Sequence, residues 1–71
     1  MLGNFIEVHV IGKDKIVHKD PALIDAFTIE AVYPINNGTN CVIYTSIPNK
    51  EVIYISEDVY AFKKLLKAAN S

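Results

Sequence analysis

Seventy-one residues with a net charge of −1 and 51% hydrophobic side chains make a short, apolar-rich chain. Cys41 is the only cysteine, so no internal disulfide can form, and Cys41, His9 and His18 are too few soft ligands for a closed zinc site. There is no arginine, no like-charge run longer than two residues, and no apolar stretch near the ~20 residues that span a bilayer, which argues against a broad basic footprint and a membrane helix.

These bounds predict one domain over residues 1–71, in the cytoplasm, with no cofactor. Met1-Leu2-Gly3-Asn4 lacks the basic region and apolar run of a signal peptide. A chain this small buries only about 60% of its extended-chain surface, so it needs a dense core or a partner.

Turn signals recur at the spacing of an antiparallel meander. Phe5 to Ile11 alternates, with Ile6, Val8 and Val10 on one face and Glu7 and His9 on the other, as in a half-buried strand. Gly12-Lys13-Asp14-Lys15 reads as a tight turn, and Ile16 to Lys19 as the returning arm of a hairpin. Asp20-Pro21-Ala22 breaks the pattern, because proline lacks an N–H and fixes φ near −65°. Leu23 and Ile24 are expected to plug the core from this turn. Asp25 to Tyr33 can run extended, with Phe27, Ile29, Ala31 and Tyr33 on one face.

Residues 34–40 form the clearest loop, and Asn37-Gly38 within it is a strong hairpin signal because both residues tolerate positive φ. Cys41 to Ile47 is rich in β-branched and aromatic residues and reads as a strand. Pro48-Asn49-Lys50 is a turn, and Glu51 to Ile55 is the last strand. Ser56 is the expected N-cap of a helix over 57–69, with Glu57 and Asp58 at the positive end of its dipole and Lys63, Lys64 and Lys67 towards the other. Val59, Phe62, Leu66 and Ala69 form its apolar stripe.

The fold expectation is therefore mostly β (α+β): a five-stranded antiparallel meander or small barrel with one C-terminal helix packed on it. The expected core is Ile6, Val8, Val10, Ile16, Leu23, Phe27, Ile29, Ile43, Ile53, Ile55, Phe62 and Leu66.

No residue group demands a catalytic reading. Cys41 with a histidine and a carboxylate is the one conceivable nucleophilic set, but a cysteine opening a strand serves equally as a small buried hydrophobe. His9 and His18 could meet across the first hairpin, yet two ligands fall short of a metal site, and the simpler reading is two solvated side chains. Glu57 and Asp58 are explained by helix capping. Gly3, Gly12 and Gly38 are scattered and build no phosphate loop.

Tyr33, Tyr44, Tyr54 and Tyr60 are the candidate interface residues, since tyrosine is enriched at protein contacts. Together with Lys13, Lys15 and Lys19 they also offer the elements of a single-strand nucleic-acid platform, though one without arginine. The functional expectation is a non-catalytic protein-interaction or regulatory domain that pairs with itself or another protein. The alternative is a small nucleic-acid-binding module.

A run of cues from Lys15 to Leu66 resembles the FlbD family of small bacterial proteins. A short strand ends in Lys19-Asp20-Pro21-Ala22-Leu23-Ile24. An acidic strand, Phe27-Thr28-Ile29-Glu30, follows, then an Asn-Gly hairpin, a strand pair, and the closing segment Ser56 to Leu66. Residues 34–40 and the Pro48 turn depart from the family pattern. The resemblance implies a small non-enzymatic β domain with a C-terminal helix, and it brings no catalytic residue with it.

Overall fold

A computed structural model describes residues 5–69, so the expectations for Met1–Asn4, including Gly3, and for Asn70-Ser71 lie outside the described residues. Five strands and a C-terminal helix are present: β1 (Phe5–Val8), β2 (Ala22–Asp25), β3 (Ile29–Ile35), β4 (Asn40–Thr45), β5 (Val52–Ile55) and α1 (Val59–Ala69). They form two antiparallel sheets, β1-β2 and β3-β4-β5.

The chain after β1 joins the two sheets. Val10 bridges Ile55, the Ile11 N–H donates to the Tyr54 carbonyl (2.8 Å), and the Ser56 N–H donates to the His9 carbonyl (2.8 Å). Residues 9–11 thus cover the edge of β5 that β4 leaves free.

The first hairpin begins as expected. Gly12 to Ile16 close a three-residue loop in which Lys15 takes φ 66°, and Ile11 bridges Val17. A Cβ on Gly12 would meet the Asp14 carboxylate at 2.9 Å and the His18 ring at 3.1 Å, so a larger residue there would have to displace those side chains.

Residues 16–19 return only through the Ile11–Val17 bridge and the His18 N–H to the Val10 carbonyl; the ladder along β1 is made by β2. Between the Ile11–Val17 bridge and the Val8–Ala22 pair, the first arm has two residues and the second has four, Pro21 among them. Proline cannot donate to a ladder, so the chain loops out and pairing resumes at Ala22. Ile24 then enters the core, opposite Ile6, while Leu23 pairs with Glu7 on the outer side.

β3 carries a bulge. Ile29 pairs with Thr45 but Ala31 pairs with Tyr44, leaving Glu30 as an extra residue. The bulge reverses which side chains point inward. Ile29 and Val32 pack on the core, whereas Ala31 and Tyr33 face out, so the expected single face of Phe27, Ile29, Ala31 and Tyr33 does not exist. Phe27 stands in a one-turn 3₁₀ helix held by Asp25, whose carboxylate accepts from the Phe27 N–H (3.0 Å).

β3 also runs on through Pro34 and Ile35, where a loop was expected. Proline is tolerated because β3 is an edge strand. The turn itself is Asn36 to Thr39, with Asn36, Asn37 and Gly38 all at positive φ. Pro48 and Asn49 form the corner of the β4–β5 turn, with Asn49 at φ 64° and the Lys50 N–H on the Ile47 carbonyl, as a type II turn requires.

The core is Ile6, Val8, Ile24, Cys41, Ile43, Ile55 and Phe62, with Ile29, Val32, Ile53, Val59, Leu65, Leu66 and Ala69 packed against it. Ile16 and Leu23 (both 63% exposed) and Phe27 (74%) are not core residues, and Val10 is half-buried. The helix presents its expected stripe, and Phe62 is its fully buried residue. It starts two residues later than expected. Asp58, not Ser56, is the N-cap: its carboxylate accepts from the Ala61 N–H (2.7 Å), and its carbonyl accepts from the Phe62 N–H.

Candidate interaction face

Side chains of a strand alternate between faces. In β4, Cys41, Ile43 and Thr45 point into the core, so Val42 and Tyr44 lie on the other face, where Tyr44 is exposed and Val42 is buried (5% exposed). Strand register then fixes their neighbours. Tyr33, Val42 and Tyr54 lie side by side across the sheet, and Ala31, Tyr44 and Val52 form the adjacent row.

Tyr33 (56% exposed), Tyr44 (40%), Tyr54 (48%) and Val52 (47%), none of them charged, therefore share one open surface. Tyr33 and Tyr44 meet edge to face with ring centroids 5.6 Å apart, a favourable aromatic geometry that restrains both rings. Three of the four tyrosines singled out in the sequence are thus brought together. Tyr60 is not among them. It sits two positions from buried Phe62, about 200° around the helix, so it faces away from the core, with the Lys64 ammonium 4.7 Å from its ring centre.

The free sheet edges are blunted. β3 is interrupted by the Glu30 bulge and by Pro34, and β1 and β2 have only four residues each. A partner strand would find little regular ladder on any of them.

The other sequence candidates resolve differently. Cys41 is wholly buried; burial pushes its thiol above the ordinary 9.0, and the negative charges of Asp58 and Glu57 push it the same way. That is the reverse of an activated nucleophile's surroundings.

His9 and His18 do not face each other, since the His18 N–H donates to the Val10 carbonyl (2.9 Å). His9 instead meets Glu57. The Glu57 carboxylate accepts from the His9 backbone N–H (3.0 and 3.2 Å) and from Nδ1 (2.8 Å). Glu57 thus holds the residue where the chain passes from one sheet to the other, rather than the helix dipole. Among the described residues, no three His, Cys, Asp or Glu side chains converge as a metal set.

A broad furrow of about 1060 Å³ lies between the hairpin tip and β5. Lys13, Lys15, Lys50 and Tyr54 are among its lining residues, and no carboxylate side chain is. Its volume exceeds that of a usual ligand pocket, and it opens to the surface.

Among the described residues no helix is long and apolar enough to cross a membrane. No protein family, curated protein or solved structure matches the chain.

Proposed function

We propose that the protein is a non-catalytic interaction domain of the cytoplasm, with a regulatory or scaffolding role exerted through the outer face of β3-β4-β5. One observation carries this reading: three half-exposed tyrosines and half-exposed Val52 lie contiguous on that face, over a buried Val42 (5% exposed), and none of these residues is charged. Aromatic residues supply much of the binding energy at protein contacts, and charge is depleted at their centres. The blunted edges favour a face over strand addition. Kinship with the FlbD family belongs to the same proposal and rests on the cues from Lys15 to Leu66.

The test is site-specific photo-cross-linking in producing cells. A benzophenone amino acid in place of Tyr44 should give a discrete adduct, and one in place of exposed Lys63 on the helix should give none. Equal labelling from both positions, or none from either, would overturn the reading.

The furrow favours a second reading, a single-stranded nucleic acid held by Lys13, Lys15 and Lys50 with a base on Tyr54. Binding that weakens steeply with added salt and is lost on Lys13→Ala with Lys15→Ala would support it. No binding at low salt would end it.

A further inference from the structure

The outer face carries a size pattern that specifies its partner. One row across the strands reads Ala31, Tyr44, Val52, and the next reads Tyr33, Val42, Tyr54. Small, large, small is followed by large, small, large. Each strand contributes one tyrosine and one smaller residue, in opposite order on β4 from its two neighbours.

Consider a second copy turned by 180° about an axis that lies in the face, runs across the strands and passes midway between the rows. The operation stacks the two faces and exchanges the rows. Each strand then lies over its own copy. Tyr33 meets Ala31 of the second copy and Tyr54 meets Val52, while Tyr44 comes over the row of Tyr33, Val42 and Tyr54, where Val42 is the buried floor (5% exposed); the reciprocal contacts follow by symmetry. Every ring faces a smaller side chain, as two packed sheets require.

We infer that the partner of this face is a second copy of the chain, joined face to face about that two-fold axis. The inference rests on the reading of the face as an interaction surface. Charge supports it: none of the six residues is charged, so self-stacking opposes no like charges. The outer side of β1-β2, by contrast, carries Glu7 and Asp25 and would repel its own copy.

Area sets the strength. Three half-exposed tyrosines at roughly 100 Å² each, with their small neighbours, bury about 400 Å² per copy. A standard interface buries about 800 Å² per partner, so the dimer should be weak and form only at high protein concentration.

The experiment uses two variants at half-exposed positions, Tyr54→Lys and Val52→Glu, with sedimentation equilibrium on each alone and on the equimolar mixture. Circular dichroism confirms that both fold. The wild type should dimerise with rising concentration, and each variant alone should associate about tenfold more weakly or not at all. The mixture should regain dimerisation, because lysine then faces glutamate at one contact and the native Tyr54–Val52 pair stands at the other.

A wild type that stays monomeric up to about 1 mM would overturn the second copy as partner. If cross-linking from Tyr44 then reaches a different protein, the face reading survives without it. A dimer weakened by either variant but not restored in the mixture would overturn the two-fold arrangement. A dimer indifferent to both variants would overturn the inference and the face reading together.

Discussion

Glu57 is the polar residue on which the junction of the two sheets depends. Its carboxylate only accepts, and His9 supplies both donors, the backbone N–H and Nδ1. Glu57→Ala strands a half-buried backbone N–H and should cost about 1–2 kcal/mol, measured by urea unfolding, with Glu57→Gln costing less because an acceptor oxygen remains. An unchanged midpoint for Glu57→Ala would mean that water replaces the carboxylate at no loss. Cys41 makes a separate prediction through linkage. Its native thiol holds its proton to higher pH than the unfolded chain does. Above the ordinary 9.0 the unfolded state therefore binds fewer protons, and stability falls as pH rises towards the native value. Between about pH 8 and pH 10 the wild type should lose more stability than Cys41→Ala, and parallel curves would refute that account.

At the scale of elements, packing rather than side-chain type decides what each residue is worth. Phe62 is fully buried in the helix stripe, and Phe62→Ala should cost about 3–5 kcal/mol. Phe27 is as apolar but stands in solvent on a 3₁₀ turn, so Phe27→Ala should change stability by less than about 0.5 kcal/mol. Chemical denaturation of the two variants side by side checks both values, and comparable losses would show that the helix face or the turn is misplaced. The contrast follows from how strongly each pattern fixes register. A helical stripe recurs every three or four residues and survives a shifted N-cap, which is why Val59, Phe62, Leu66 and Ala69 were legible. A strand has period two, so one extra residue, Glu30, turned the face of β3 over.

At the scale of the whole molecule, eight buried apolar residues among the described residues leave much of the hydrophobic content outside. Phe5, Leu23 and Phe27 are exposed on or beside β1-β2, and the tyrosines and Val52 on β3-β4-β5. No free edge among the described strands offers a long regular ladder, so the proposed association would use a face. On the larger sheet the six outer residues of the two rows are uncharged, and there the large and small side chains alternate in two dimensions. That alternation is what a symmetric dimer reads.

The sequence by itself determined most of the inventory: four of the five strands and a final helix, the Gly12 and Asn37-Gly38 turns, the helix stripe, and the inward set of Ile6, Val8, Ile43 and Ile55. These follow from local periodicity and from backbone preferences that act over a few residues. It also singled out the tyrosines, though not their arrangement. Only the tertiary structure decided that Ala22–Asp25 replaces residues 16–19 as the partner of β1, that residues 9–11 cross to β5, and that Glu57 turns to His9. It also decided that Tyr33, Tyr44 and Tyr54 share a face from which Tyr60 is excluded. Each of these depends on register between segments far apart in the chain. A bulge or a proline resets that register without altering the local pattern from which a strand is recognised.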